Sequence, residues 1–224
     1  MLALRFLAPM LAVFLWSNLG LAESRIALVI GNSDYEAVSP LDNPINDASD
    51  LAIALEGLGF EVLLGLDLTR EEMVARAREF GTKAERSDVA LMFYAGHGFQ
   101  VEGRNYLVPV NATIQSAQDI PVQTIALDEI VAEMGKSAGI RLVILDACRD
   151  NPFEAAGIEV ADNGLARVGS DADFLFAYAT QPDNVAYDGT GRNSFFTEAL
   201  LNHIYTPGED ISDLMINVRK DVLA

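Results

Sequence analysis

Five short apolar runs recur along this chain, and none alternates with polar residues. They lie in "RIALVIGNSDY" (25–35), "FEVLLGL" (60–66), "DVALMFYAGHG" (88–98), "GIRLVILDAC" (139–148) and "DFLFAYAT" (173–180). A strand with one wet face alternates; a strand that is apolar throughout needs cover on both sides. Amphipathic helical stretches separate the first runs. In "NPINDASDLAIALEGLGF", Asn43 stands at a cap position, Pro44 suits the first helical turn, and Ala48, Leu51, Ala52, Leu55 and Leu58 share a face that stops at Gly59. Thr69-Arg70-Glu71-Glu72 is a capping box, opening a helix with Met73, Ala77 and Phe80 on one side. Strand, helix, strand, helix, strand in this order predicts an α/β fold: a three-layer α/β/α sandwich around a mostly parallel central sheet.

Between Gly98 and Pro109, "GFQVEGRNYLVP" predicts a small hairpin turning at Glu102-Gly103. Residues 154–172 are polar, glycine-bearing and aperiodic, which predicts a long surface loop. The last stretch, "ISDLMINVRKDVLA", reads as a helix with Leu214, Val218 and Leu223 on one side, and it stops without a cap.

Residues 1–22 carry one charge, Arg5, then an apolar run from Phe6 to Trp16 and the small residues Gly20 and Ala22 around Leu21. That is the layout of an export signal cleaved after Ala22, leaving a domain at 23–224 in the periplasm or outside the cell. A membrane anchor and a buried first helix are the alternatives, and the run is short for a span. Removing the segment takes the formal charge from −18 to −19. Such a surface repels nucleic-acid phosphates and anionic lipid and attracts basic peptides, though acidity is also a general route to solubility. A single cysteine excludes an intramolecular disulfide.

That cysteine, Cys148, does not lie inside its apolar run but just past it, in Asp146-Ala147-Cys148-Arg149-Asp150. In open parallel sheets, sites form at the carboxyl ends of strands. Three such ends carry polar residues: Gly31-Asn32-Ser33-Asp34, Ala95-Gly96-His97-Gly98, and Asp146-Ala147-Cys148. A thiol needs a base or a positive neighbour to become the attacking thiolate. Of the two histidines, His203 lies near a predicted helix end, where it complements the dipole. His97 ends a strand between glycines, 51 residues before Cys148, and is the candidate partner. Arg149 either lowers the thiol pKa or pairs with Asp150. No phosphate loop or metal motif is present.

"FYAGHG" at 93–98 and "DACRDNPF" at 146–153 resemble the two signature segments of caspase-like cysteine peptidases, in particular the bacterial orthocaspase and metacaspase branch. "ALVIGNSDY", "NDASDLAIALEGLGFEV" and "NSFFTEALL" (193–201) extend the resemblance across nearly all of residues 25–219. It implies a cysteine endopeptidase with His97 as general base and Cys148 as nucleophile, and with the backbone N–H groups of Cys148 and Gly98 as the oxyanion hole. True caspases bind aspartate and carry glutamine two residues before the cysteine; here that position is Asp146. In metacaspase-like relatives a carboxylate pair matching Asp47 and Asp146 lines a pocket for arginine or lysine, in keeping with forked, charge-assisted recognition of a guanidinium. Taken singly, Asp47 is equally a helix N-terminal carboxylate and Asp146 a turn residue. Ala95 stands where many metacaspases have serine, removing one pocket hydroxyl.

The resemblance further implies self-processing in the long loop, with Arg167 the candidate site, and a pocket wall at 181–188. Calcium is the one cofactor it raises: Asn111 and Glu154 lie in the relevant regions, without an oxygen cage. Relatives often continue past the last helix, so truncation at the C-terminus is one expectation. The alternatives to a peptidase cleaving after arginine or lysine are a catalytically weak caspase-fold binding or signalling module, and an arginine-specific peptidase of another branch of the same clan.

Overall fold

The computed structural model describes residues 23–135, 139–148, 152–153, 165, 174–179 and 191–223, Cys148 by its backbone. The strands are β1 (Arg25–Gly31), β2 (Glu61–Leu66), β3 (Val89–Val101), β4 (Arg104–Leu107), β5 (Ile125–Ala126), β6 (Ile140–Cys148) and β7 (Phe174–Tyr178). The helices are α1 (Pro44–Gly57), α2 (Arg70–Ala84), α3 (Ile120–Gln123), α4 (Leu127–Met134), α5 (Phe195–His203) and α6 (Ile211–Val222). β2, β1, β3, β6 and β7 lie side by side, all parallel. Beyond His97, β3 leaves β6 and continues as an antiparallel partner of β4, which in turn pairs with β5.

The unbroken apolar runs are explained by the two faces they serve. Ile26, Leu28, Ile30, Met92, Val143 and Leu145 point toward α2 and α4, where Met73, Phe80, Ile130 and Met134 are fully buried. Ala27, Val29, Leu91, Phe93 and Ile144 point the other way, onto Leu51 and Leu55 of α1, Leu200 of α5 and Val218 of α6. Alternate residues therefore feed different cores, as the pleat requires. This is the sandwich with a mostly parallel sheet that the pattern predicts. A third cluster, with Tyr35, Phe99, Tyr106, Val108 and Phe153, sits under the β3–β4 hairpin.

Local chemistry agrees in most places. Glu102 and Gly103 turn the hairpin with φ of 52° and 76°, the pair of positive values a tight two-residue turn needs. Thr69 and Glu72 form the reciprocal capping box. Asn43 occupies the N-cap of α1 but its side chain makes no capping bond. The Ser33 hydroxyl, arriving from the end of β1, accepts from the N–H of Ile45 instead (3.4 Å). Leu223 lies past the end of α6 and is 65% exposed, so it does not join the buried face of Leu214 and Val218. Within the predicted surface loop at 154–172, Leu165 is buried in the α2/α4-side core; the rest of that loop is outside the described residues. Residues 117–134, to which the sequence pattern assigns no element, form a short turn, α3, β5 and α4. Among the described residues, no helix is long and apolar enough to cross a membrane.

Candidate active site

Parallel pairing carries the three polar strand ends to one edge. Gly31 pairs with Ala95, Ala95 with Asp146, and His97 with Cys148. Two residues 51 apart in sequence are thus one inter-strand step apart, about 4.7–4.9 Å between neighbouring strands. Gly98 follows at the point where β3 changes partner; a Cβ there would stand 3.3 Å from the Cβ of Ala147, so the backbone of position 98 packs against the residue preceding Cys148.

His97 is buried and held from several sides. Its Nε2 lies 2.9 Å from the carbonyl oxygen of Ser39. A carbonyl only accepts, so Nε2 carries the proton of the neutral ring and Nδ1 is the basic nitrogen. The His97 N–H donates to the Tyr35 hydroxyl (2.8 Å), and the Tyr94 hydroxyl donates to the His97 carbonyl (2.7 Å). The Tyr35 ring packs on the imidazole, with centroids 4.6 Å apart. Sequence reasoning finds His97 and misses Tyr35, Ser39 and Tyr94, although two of them lie within quoted motifs. Tyr35→Phe removes the acceptor of a buried N–H, so it is expected to destabilise the protein by about 1–3 kcal/mol in urea unfolding.

The two predicted pocket carboxylates converge. Asp47, in the first turn of α1, and Asp146, near the end of β6, are 2% and 8% exposed. Both reach Ser194, the N-cap of α5. The Ser194 N–H donates to Asp47 Oδ1 (2.9 Å), and its hydroxyl donates to Asp146 Oδ2 (2.5 Å). The Thr197 hydroxyl donates to the same Asp146 oxygen (2.7 Å). Asp47 is therefore also the helix N-terminal carboxylate of the simpler reading, while Asp146 is a strand residue and not a turn.

One turn along α1 from Asp47, Asp50 receives Arg192 through two bonds of 2.8 and 2.9 Å and Asn193 through one of 3.1 Å. Residues 192–194 are thereby fastened to α1. The bond from Arg192 holds the Asp50 carboxyl below its ordinary value of 3.8. A depressed carboxylate pKa adds stability above the unfolded value that is lost as pH falls through the folded one. Because Arg192 is 63% exposed, solvent screens the pair and its contribution to stability is small. Arg192→Ala should therefore show a small deficit in unfolding free energy at pH 7 that shrinks as acid protonates Asp50, below the ordinary carboxylate range.

Other candidates lie elsewhere. His203 ends α5, as expected for dipole compensation, and its Nε2 meets Asp221 of α6 at 2.7 Å. Asn111 Oδ1 accepts from the N–H of Arg70 at the start of α2 (3.0 Å). Among the described residues no group of three or more histidine, cysteine, aspartate or glutamate side chains could hold a metal ion. Arg149, Asp150, Glu154, Arg167 and residues 181–188 are outside the described residues.

The family model of the caspase domain matches residues 24–223. The chain belongs to the caspase-domain family. Caspase domains are cysteine-peptidase domains that act on protein substrates. The chain is 33% identical over 162 residues to the human mucosa-associated lymphoid tissue lymphoma translocation protein 1, covering 71% of this chain and 19% of that protein. It is 28% identical over 217 residues to mouse Caspase-1, covering 88% of this chain and 53% of that protein. Chicken Caspase-7 is 24% identical over 207 residues, with 86% and 64% covered. The caspase domain described here thus spans from about a fifth to under two thirds of these relatives' lengths.

Proposed function

We propose that this caspase domain is an exported cysteine endopeptidase of the orthocaspase or metacaspase type that cleaves after arginine or lysine. The observation that carries the reading is the convergence, at one sheet edge, of the His97–Cys148 pairing and two buried carboxylates bridged by Ser194. Export rests on the pattern of residues 1–22.

In the proposed reaction the Cys148 thiol gives its proton to His97 Nδ1, and the sulfur attacks the scissile carbonyl. The Nε2–H bond to Ser39 fixes the tautomer that makes Nδ1 the acceptor and stabilises the imidazolium that forms. Negative charge moves to the carbonyl oxygen, received by the backbone N–H groups of Gly98 and Cys148. Collapse expels the amine, which takes the proton from His97, and leaves an acyl-enzyme. Water, deprotonated by His97, then attacks the thioester, and the carboxylate product leaves with the thiol restored. A cationic side chain is recognised by Asp47 and Asp146, for which a pocket with two carboxylates suits a guanidinium.

The test is cleavage of matched fluorogenic peptides ending in arginine, lysine or aspartate, with and without calcium. Cleavage of the basic peptides alone is expected; preference for aspartate overturns the specificity, and no cleavage of any peptide favours the binding-module alternative. Mass spectrometry of the purified protein, compared with Cys148→Ala, tests self-cleavage at Arg167: identical fragments end that proposal.

A further inference from the structure

Thr197 is a helix residue whose hydroxyl serves no helix. It stands at the third position of α5, is fully buried, and directs its oxygen across to Asp146 rather than back to a carbonyl of its own helix. Threonine is a poorer helix former than alanine, and a buried hydroxyl without a partner is costly. A valine would fill the same volume, so the hydroxyl is explained by what it meets.

Two hydroxyls meet one carboxylate oxygen. Ser194 Oγ accepts from the N–H of Thr197 (3.0 Å), as an N-cap should, which leaves its own proton for Asp146 Oδ2. Thr197 Oγ1 donates to that same Oδ2. Two hydrogen bonds donated to one carboxylate oxygen favour the charged form. Asp47 is bound to the same serine through its N–H, so a second carboxylate shares the site. Two carboxylates that meet one serine disfavour each other's ionisation. The donors gathered at the start of α5, with the positive end of that helix, oppose this.

We propose that Thr197 is a specificity-positioning residue: with Ser194 it fixes the Asp146 carboxylate in the orientation and ionised form that receive a cationic substrate side chain. This rests on Asp47 and Asp146 forming the pocket. Thr197 separates cleanly from helix capping, because the cap belongs to Ser194.

The test measures binding of fluorescent peptides ending in arginine or in its neutral isostere citrulline to full-length protein carrying Cys148→Ala, so that no turnover is needed. Thr197→Val is expected to weaken the arginine peptide about tenfold and to leave the citrulline peptide unchanged, and Thr197→Ser to restore the arginine affinity. In protein retaining Cys148 the same change should appear in KM, with kcat within about twofold. If the valine variant does not accumulate, Thr197→Ala removes the same hydroxyl and is read the same way. Equal weakening of both peptides, or no weakening of either, overturns the inference. Asp146→Asn separates the two levels. If it abolishes the arginine preference while Thr197→Val does not alter it, the pocket stands and the role of Thr197 falls. If Asp146→Asn leaves the preference intact, the pocket falls and the inference with it.

Discussion

Cys148→Ala should lower kcat for an arginyl peptide by about 10³-fold or more while the protein stays folded. The strand that holds this residue is paired through its backbone to β3 and β7, and those bonds do not depend on the side chain. The backbone N–H at position 148 survives the change, so an oxyanion can still be stabilised, and a small residual rate over the uncatalysed reaction is expected from that alone. What is lost is the proposed nucleophile, and no other thiol can replace it, because this is the only cysteine among 224 residues. The same fact gives the assay a clean zero: a peptide-arginine electrophile should form one adduct per parent chain and none on the variant. In the proposed reaction Cys148 and His97 act on one proton, so adding His97→Ala to Cys148→Ala should cost little more than the worse single change. A Cys148→Ala protein with more than about a tenth of the parent kcat would remove the thiol from the mechanism.

Much of this site is legible in the sequence, for a physical reason. A parallel sheet converts strand order into proximity, so apolar runs that end in His97 and in Cys148 need only be neighbours to bring both ends together, and they are. Asp47 and Asp146 came from the resemblance to metacaspase-like peptidases, since singly they read as a helix N-terminal carboxylate and a turn residue. The supporting polar residues were not legible. Ser39 acts through its carbonyl, which any residue possesses, so its side chain carries no signal. Tyr35 and Tyr94 look like ordinary core aromatics until their hydroxyls are seen on the His97 peptide. Ser194 and Thr197 lie in "NSFFTEALL", a segment that enters the sequence reading only through the resemblance; that its helix returns to β6 depends on how the chain folds back. The Asn43 cap failed for a related reason, since a distant serine took over one of its donors.

Gly96→Ala is expected to be the most damaging change outside the dyad, for both stability and turnover. Gly96 has φ of 151°, which side-chain-bearing residues rarely adopt, and strain of this kind costs about 1–3 kcal/mol. The added Cβ would also stand 2.6 Å from the Tyr35 hydroxyl and 2.7 Å from that of Tyr94. Both rings are buried, so the hydroxyls cannot swing into solvent, and overpacking adds about 1–3 kcal/mol. The sum, about 2–6 kcal/mol, is a large part of the stability of an ordinary domain. The collision also falls on the two groups that hold the N–H and carbonyl of His97, so the imidazole should move. Displacing a catalytic group by about 1 Å costs on the order of 10² in rate. Gly103 supplies the control: its φ is 76°, but a Cβ there meets nothing within 4 Å. Gly103→Ala should lose about 1–2 kcal/mol from the backbone alone and keep its kcat. If the two variants lost equal stability and equal turnover, the tyrosine clamp would have no part in placing His97, and the strain at position 96 would be a property of the strand by itself.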